Sequence, residues 1–304
     1  MKINRKFWYT SALFGAAIIW GSSFFVVKNA VDVFPPNILL GFRFTIGALL
    51  LAIFFFKNLK ASDSGHVWRG AVLGLCLYLG YTFQTIGITD TTPGKNAFLT
   101  AIYCIIVPFL YWFVDHSKPD RYNLSAALLC LAGIGMVSLA GDFTVGFGDG
   151  MTLIGGVFYA IHMVCVAKFS KGKDVILLTI YQFGFAAVFS WVVGLIAEPF
   201  PSYTSWSWGS ICGLLYLAVF ATAVALLLQN IGQKHTHPAA AALILSLESV
   251  FGVLFSVVFY GEELTVRLLI GFILIFIAIV VSETKLSFLH RQEKLGNGIA
   301  KNEA

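Results

Sequence analysis

The chain has 304 residues, of which 58% are hydrophobic and only 12% charged, whereas a soluble domain carries roughly 25% charged residues. That composition excludes an ordinary water-soluble domain and points to a chain built for a bilayer. The formal net charge of +5 sits mostly in the connections between apolar runs, so it speaks to membrane orientation and not to nucleic-acid binding.

A spanning helix needs about 20 mostly apolar residues. Ten such runs are predicted, over 8–27, 36–56, 67–88, 92–114, 122–140, 148–168, 175–197, 206–229, 238–260 and 265–283. The first follows Lys2, Arg5 and Lys6 in the manner of a secretory signal, but it is long and no small-residue cleavage site follows, so it reads as an uncleaved first helix. The second carries Arg43 seven residues past Pro36, about 10 Å below the membrane face at ~1.5 Å per residue. The fourth opens on "DTTP", which suits a Thr cap with Pro93 in the first turn. Farther along, Pro108 has no N–H to close the turn back to Cys104 and should bend the helix, either as a hinge or as a static bend.

The fifth and tenth runs, "LSAALLCLAGIGMVSLA" and "LLIGFILIFIAIVV", have no ionisable residue in their interiors. They read as frame helices facing lipid or a second copy of the chain in a homodimer. The sixth holds Tyr159 and His162, and the seventh holds Gln182. The ninth follows "THTHP" and contains "LILSLESVFGVL", where Glu248 stands about ten residues from either end. That places it ~15 Å deep, near the midplane. Five cysteines, at 76, 104, 130, 165 and 212, fall inside predicted spans and form no disulfide or metal-binding spacing.

Sidedness follows from the cations. With the N-terminus in the cytoplasm, sixteen of the twenty basic residues lie on that side, three (Lys28, Lys95 and Arg267) lie outside, and Arg43 lies within a span. The positive-inside rule then places both termini in the cytoplasm and requires an even number of spans. Lys28 and Lys95, near the outer face, are expected to snorkel toward water.

The chain also repeats itself. "FQTIGITDTTPGKNAFLTAIY" (83–103) aligns with "LQNIGQKHTHPAAAALILSLE" (228–248) at a constant offset of 145, matching Gln84 with Gln229, Pro93 with Pro238 and Tyr103 with Glu248. Gly15 aligns with Gly155 and Lys28 with Lys168 at a slightly smaller offset, and Arg43 aligns with Gln182. The expected organisation is an all-α integral membrane protein of ten helices, with one five-helix repeat over 1–144, a second over 145–283 and a cytoplasmic polar tail over 284–304. Five is odd, so the copies insert in opposite senses, and such inverted repeats place a binding site near the midplane between them. The aligned prolines would start helices four and nine from opposite faces, with their positive dipole ends pointing inward.

These stretches resemble a known family. "WGSSFFVVK" (20–28), "LGFRFTIGALLL" (40–51), the "FQTIG" to "VPFL" block (83–110) and "HPAAAALILSLESVFGVLFSVVFYGEEL" (237–264) are similar to the drug/metabolite transporter superfamily, in its ten-helix branch with paired EamA domains. The resemblance covers nearly the whole chain. It implies a secondary carrier of the inner membrane, often an exporter of amino acids or related metabolites. Two departures stand out: Glu248-Ser249 replaces the family's usual Glu-Pro, and the proline of helix four comes late, at Pro108. The resemblance also implies a role for the arginine of helix two and the glutamine of helix seven, and for Trp20 as a cavity residue.

Ionisable groups inside spans are costly and usually face a cavity or a partner. The candidate substrate-binding residues are therefore Trp20, Arg43, Tyr103, Tyr159, His162, Gln182 and Glu248. Two readings stand for Arg43 and Glu248. In one they meet the carboxylate and amine of a substrate, and in the other they pair with each other and pin two helices. Glu248 is also the proton-coupling candidate, because a carboxylate can take up and release a proton where an amide cannot. His162 reads as a proton relay or as a hydrogen-bonded packing residue. Gln84 and Gln229 suit interhelical hydrogen bonds as well as substrate contact.

Neither "TPGKNAF" nor "GFGDG" (146–150) has the context of a phosphate-binding loop, and "HTH" (235–237) reads as a turn and not a metal site. No cofactor, metal or catalytic activity is expected, and driving energy would come from the substrate gradient or from protons. The partners implied are a small-molecule substrate and the lipid bilayer. An importer or exchanger is the nearest alternative function. A membrane enzyme or lipid-handling protein would place paired polar groups at one interface, whereas here they lie at mid-depth.

Overall fold

A computed structural model describes residues 5–116, 118–138 and 145–285. The polar tail expected over 284–304 lies almost wholly outside the described residues. Ten helices occur in chain order among them: α1 (Arg5–Ala30), α2 (Pro36–Phe54), α3 (Ser64–Thr89), α4 (Pro93–Asp115), α5 (Arg121–Ser138), α6 (Phe147–Phe169), α7 (Val175–Ala197), α8 (Trp208–Lys234), α9 (Pro238–Tyr260) and α10 (Val266–Thr284). Eight of them, α1 to α4 and α6 to α9, are long and apolar enough to cross a membrane. The other two, α5 and α10, are further apolar helices.

Local chemistry sets the helix starts. Pro36, Pro93 and Pro238 each occupy the first turn, where a missing N–H costs nothing. Thr92, Asp174 and Ser207 accept from first-turn amides, and Asp63 forms a capping box with His66. The "THTHP" start differs from the expected Thr cap. His237 holds the cap position and its side chain caps nothing, because the residue before a proline is driven to extended backbone and out of the helix. The amide end of α4 does not stand open toward the interior either. Glu262, in the turn after α9, accepts from Gly94 N at 2.9 Å and from Thr92.

The packing obeys a pseudo-two-fold. α1 lies on α9 as α6 lies on α4, α3 lies on α6 as α8 lies on α1, and α3 lies on α7 as α8 lies on α2. α2 and α7 pair with each other, as do α5 and α10. Both self-pairs are antiparallel, and polar contacts at their ends record it. Glu198, after α7, accepts from the amides of Asn37 and Ile38 at the start of α2. At the opposite end Asn58 donates to Asp174 at 2.8 Å. Arg267 at the start of α10 donates to Met136 O of α5 at 3.0 Å, and Lys285 pairs with Asp120 at 2.6 Å at the other end. The two repeats therefore run in opposite senses.

Two helices depart from regular α geometry near the centre. α4 is interrupted at 101–102, where Cys104 N and Ile105 N bond to carbonyls only three residues back. The irregularity precedes Pro108, which lies inside the helix that resumes at Tyr103, by about two turns. Gly156 of α6 lies against this turn, and a Cβ there would come within 2.5 Å of Ile102 Cγ2. α8 carries a π-helical stretch at Leu217–Val224, in which Thr222 Oγ1 donates to Leu217 O at 2.8 Å.

One close approach joins α1, α4 and α9. A Cβ on Gly21 would meet Phe251 Cβ at 2.3 Å, and one on Gly252 would meet Ala97 Cβ at 2.4 Å. Gly252→Val should therefore separate these helices and cost ~1–3 kcal/mol or more, since overpacking here strikes a helix and not a flexible side chain. Gly150→Ala, whose Cβ would meet nothing within 4 Å, should be near neutral. Thermal unfolding of the detergent-solubilised variants measures both.

Lys173 beside Asp63 holds that carboxyl well below the usual aspartate range. A depressed carboxyl stabilises the fold above its ordinary value of about 3.9 and loses that contribution only as pH falls through the lowered one. Asp63→Asn should lower the unfolding midpoint at pH 7 and still do so at pH 4. The gap to wild type should close only in stronger acid.

Candidate functional site

The helix crossings leave a central cavity, about 40 Å³ of it open to the centre of a water-sized molecule. Trp20, Arg43, Tyr103, Tyr159, His162 and Glu248 all line it. Gln182 does not. It stands one layer behind, where its Oε1 meets His162 Nε2 at 3.0 Å, so it orients the histidine and does not face the cavity.

Arg43 is 1% exposed and reaches the cavity from α2. Its Nε donates to Thr222 Oγ1 at 3.2 Å, and its guanidinium lies 4.9 Å from the centre of the Tyr81 ring. The π stretch of α8 makes the first contact possible by turning Thr222 toward α2. The same stretch offers Ala221 O to Trp20 Nε1 at 2.8 Å, which fixes the indole. π-helical insertions of this sort recur at functional sites.

Glu248 is 4% exposed and enters from α9. The Tyr103 hydroxyl faces its carboxylate without a hydrogen bond of ordinary geometry. Among the described residues no acidic side chain forms an ion pair with Arg43, and no basic one with Glu248. The helix-pinning pair between them does not form. Tyr81 and Tyr159 each stand within electrostatic reach of both charges, and Tyr159 donates to Gln84 Oε1 at 2.8 Å.

Three residues that shape the site escape a reading by charge alone: Tyr81, Asn96 and Thr222. Tyr81 precedes Gln84 by three residues, a helical spacing that shares a face. Asn96, Thr100 and Tyr103 follow one another at spacings of four and three, so the stripe was there to be seen. Thr222 lies in an apolar run, and nothing in the sequence announces a π turn there.

Lys28 and Lys95, expected to snorkel, bond to protein groups instead of only reaching for water. Lys28 Nζ donates to Ile88 O at 2.8 Å and Thr89 O at 3.1 Å, closing the end of α3. Lys95 pairs with Asp149 at 2.6 Å. These residues rim a second depression lined by Lys28, Thr89, Asp90, Thr91, Thr92, Lys95 and Tyr260. Its rim residues Lys28, Thr89 and Lys95 are the immediate chain neighbours of the cavity residues Val27, Ile88 and Asn96. The two spaces abut at this end of the bundle. At the other end, Lys173 pairs with Asp63, and Lys234 Nζ donates to Lys173 O at 2.9 Å.

The fold has solved counterparts. One crystal structure aligns with a TM-score of 0.68 over 92% of this chain and 98% of its own, at 18% identity, a likeness of fold alone. An "uncharacterized transporter" of Archaeoglobus fulgidus is 34% identical over 269 residues, covering 87% of this chain and 82% of the relative. YedA of Escherichia coli K12, an "uncharacterized inner membrane transporter", is 25% identical, covering 84% of this chain and 83% of the relative. The model of the EamA-like transporter family matches twice, over residues 7–139 and 146–284. With both five-helix halves matched in this way, the chain belongs to the EamA-like transporter family and is a multi-pass membrane transporter of a small molecule.

Proposed function

We propose that the chain is a secondary carrier that exports a small zwitterionic metabolite, an amino acid or a close relative, across the inner membrane. One observation carries this reading. Arg43 and Glu248 line one cavity, buried and of opposite sign, and neither neutralises the other. Charges buried without partners are expensive. A ligand bearing a carboxylate and an ammonium meets both needs at once. In this reading Arg43 takes the carboxylate, Glu248 takes the ammonium, and Trp20, Tyr103 and Tyr159 wall the space between, with Gln182 acting through His162.

The cation distribution supports cytoplasmic termini, which puts the Lys28 end of the bundle outside. The depression beside Lys28 and Lys95 then serves as the outer vestibule, and their bonds to α3 and α6 must part for release. The Lys173–Asp63 contact holds the cytoplasmic end. The two halves, 1–144 and 145–283, are the bodies that rock about the site. A proton carried on Glu248 is the second reading. It is favoured by the carboxylate's lack of a basic partner and by the neutral tyrosine facing it.

Counterflow of radiolabelled amino acids into proteoliposomes tests the proposal. Arg43→Gln and Glu248→Gln should each cut exchange more than tenfold. If both variants exchange zwitterions as wild type does, the reading is wrong. A pH gradient that drives uptake in wild type but not in Glu248→Gln marks that residue as the proton carrier. A metabolite gradient that drives import only would establish the reverse direction.

Thr222→Val should keep the fold and misplace Arg43. A hydrogen bond to a charged group contributes about 1.5–3 kcal/mol, so apparent affinity for the substrate should weaken about tenfold or more. A matched rise in KM with little change in folded yield is the expected pattern.

A further inference from the structure

The turn that follows α9 reads Gly261-Glu262-Glu263. Gly261 takes the left-handed conformation, at φ 75°, which a glycine adopts without strain. The chain turns there, and the two acidic residues after it part company. Glu263 is exposed, whereas Glu262 is half-buried against the start of α4. The Glu262 carboxylate accepts from Gly94 N at 2.9 Å and from the hydroxyls of Thr92 and Ser256. A Cβ on Gly94 would come within 2.5 Å of Glu262 Oε2, so the carboxylate has its seat because residue 94 carries no side chain. Hydrogen bonds to a carboxylate are among the stronger ones, and the amide end of a helix favours a negative charge.

This contact crosses between the two halves. α4 belongs to the first repeat and α9 to the second. Both helices line the central cavity, α4 through Asn96 and Tyr103 and α9 through Leu245 and Glu248. Both also wall the depression beside Lys28, α4 through Thr92 and α9 through Tyr260. Glu262 therefore ties the two walls of that depression together, at the point where it abuts the cavity.

The other end of the same seam lacks every part of the clasp. At the repeat offset of 145, Ser117 stands where the second copy has Glu262, His237 where the first has Thr92, and Ala239 where the first has Gly94. The acceptor, the hydroxyl donor and the bare backbone are all replaced. There the His237 side chain caps nothing, and its ring meets the edge of the Tyr111 ring at 5.4 Å.

We infer that Glu262 is a gate latch, which holds α4 to α9 at the Lys28 end of the bundle and must let go before the cavity opens into the vestibule there. The inference rests on the carrier reading and its sidedness, under which this end faces outward. An interaction made only in the closed state lowers the open fraction by its own free energy. Glu262 thus biases the resting carrier toward closure on the outer face.

The test places one reporter cysteine in the cavity, Ser23→Cys, in a chain whose five native cysteines are replaced by serine. A membrane-impermeant cationic methanethiosulfonate is added to intact cells, and in a second arm to inverted vesicles. Labelling of the reporter is followed over time. Glu262→Ala should raise the rate in intact cells about tenfold or more, the loss of at least one hydrogen bond to a charged group. Gly94→Ala should do the same, because its Cβ displaces only the tip of the Glu262 side chain and leaves the helices in place. Glu263→Ala should label at the wild-type rate.

Glu262→Ala that labels as wild type does from both sides overturns the latch and leaves the carrier reading standing. Acceleration in inverted vesicles alone keeps the latch and overturns the sidedness. Glu263→Ala that accelerates labelling as much as Glu262→Ala reduces the effect to a loosened turn and overturns the role of Glu262. Should Glu262→Ala not fold, Gly94→Ala decides the matter.

Discussion

The structure depends on keeping two buried charges apart. A guanidinium and a carboxylate inside a span would gain most from each other, since opposite charges attract strongly where the dielectric is low. Here each is tied elsewhere. Arg43 is drawn onto Thr222 and the Tyr81 ring, and Glu248 looks at Tyr103. The interior therefore stores an unmet electrostatic demand, and the surrounding helices are shaped to hold it. A paired Arg43–Glu248 would have been a rivet, whereas the unpaired arrangement is what the proposed zwitterion site rests on.

Irregular backbone does much of that holding. Within a membrane, helices keep their hydrogen bonds internal unless a cavity or neighbouring protein absorbs the freed groups. In the π stretch of α8 the Ala221 carbonyl accepts from Trp20, and the Thr222 hydroxyl accepts from Arg43 while donating to the Leu217 carbonyl, so the backbone carbonyls find side-chain donors. The turn at 101–102 in α4 is received by Gly156, whose bare backbone lets α6 approach. Both departures lie on helices that line the cavity, while α5 and α10 supply none of its lining residues and remain regular helices.

Much of this was legible in the sequence. The ten apolar runs fall on the ten helices within a few residues, because burial of an uninterrupted apolar face is a strong signal and prolines mark three of the starts. The placement of six cavity residues was legible too, since polar groups in spans have few places to go. What stayed hidden depends on partners far apart in the chain. Gln182 reads like a cavity residue until His162 is seen to stand in front of it. The break in α4 at 101–102, against which Gly156 of α6 packs, carries no signal in the sequence. Thr222 carries no signal at all, because only the contact with α2, 179 residues away, gives it a role.

The repeat explains why the site needs an asymmetric pair. Tyr103 and Glu248 occupy equivalent positions in the two copies, and they face each other in the folded chain. Equivalent residues that also meet must lie close to the pseudo-two-fold. At such a place a faithful duplication sets like against like. Two carboxylates about 4 Å apart would repel by ~4 kcal/mol even at an effective dielectric of 20, and two tyrosines would leave the cavity without its acidic wall. A neutral donor opposite one carboxylate avoids both outcomes. The same logic reaches Arg43 and Gln182, equivalent positions farther from the axis, where one copy keeps the charge at the cavity and the other has turned to hold a histidine. The symmetry builds the scaffold from both sides, and its breaking at these two pairs gives the cavity a positive end and a negative end.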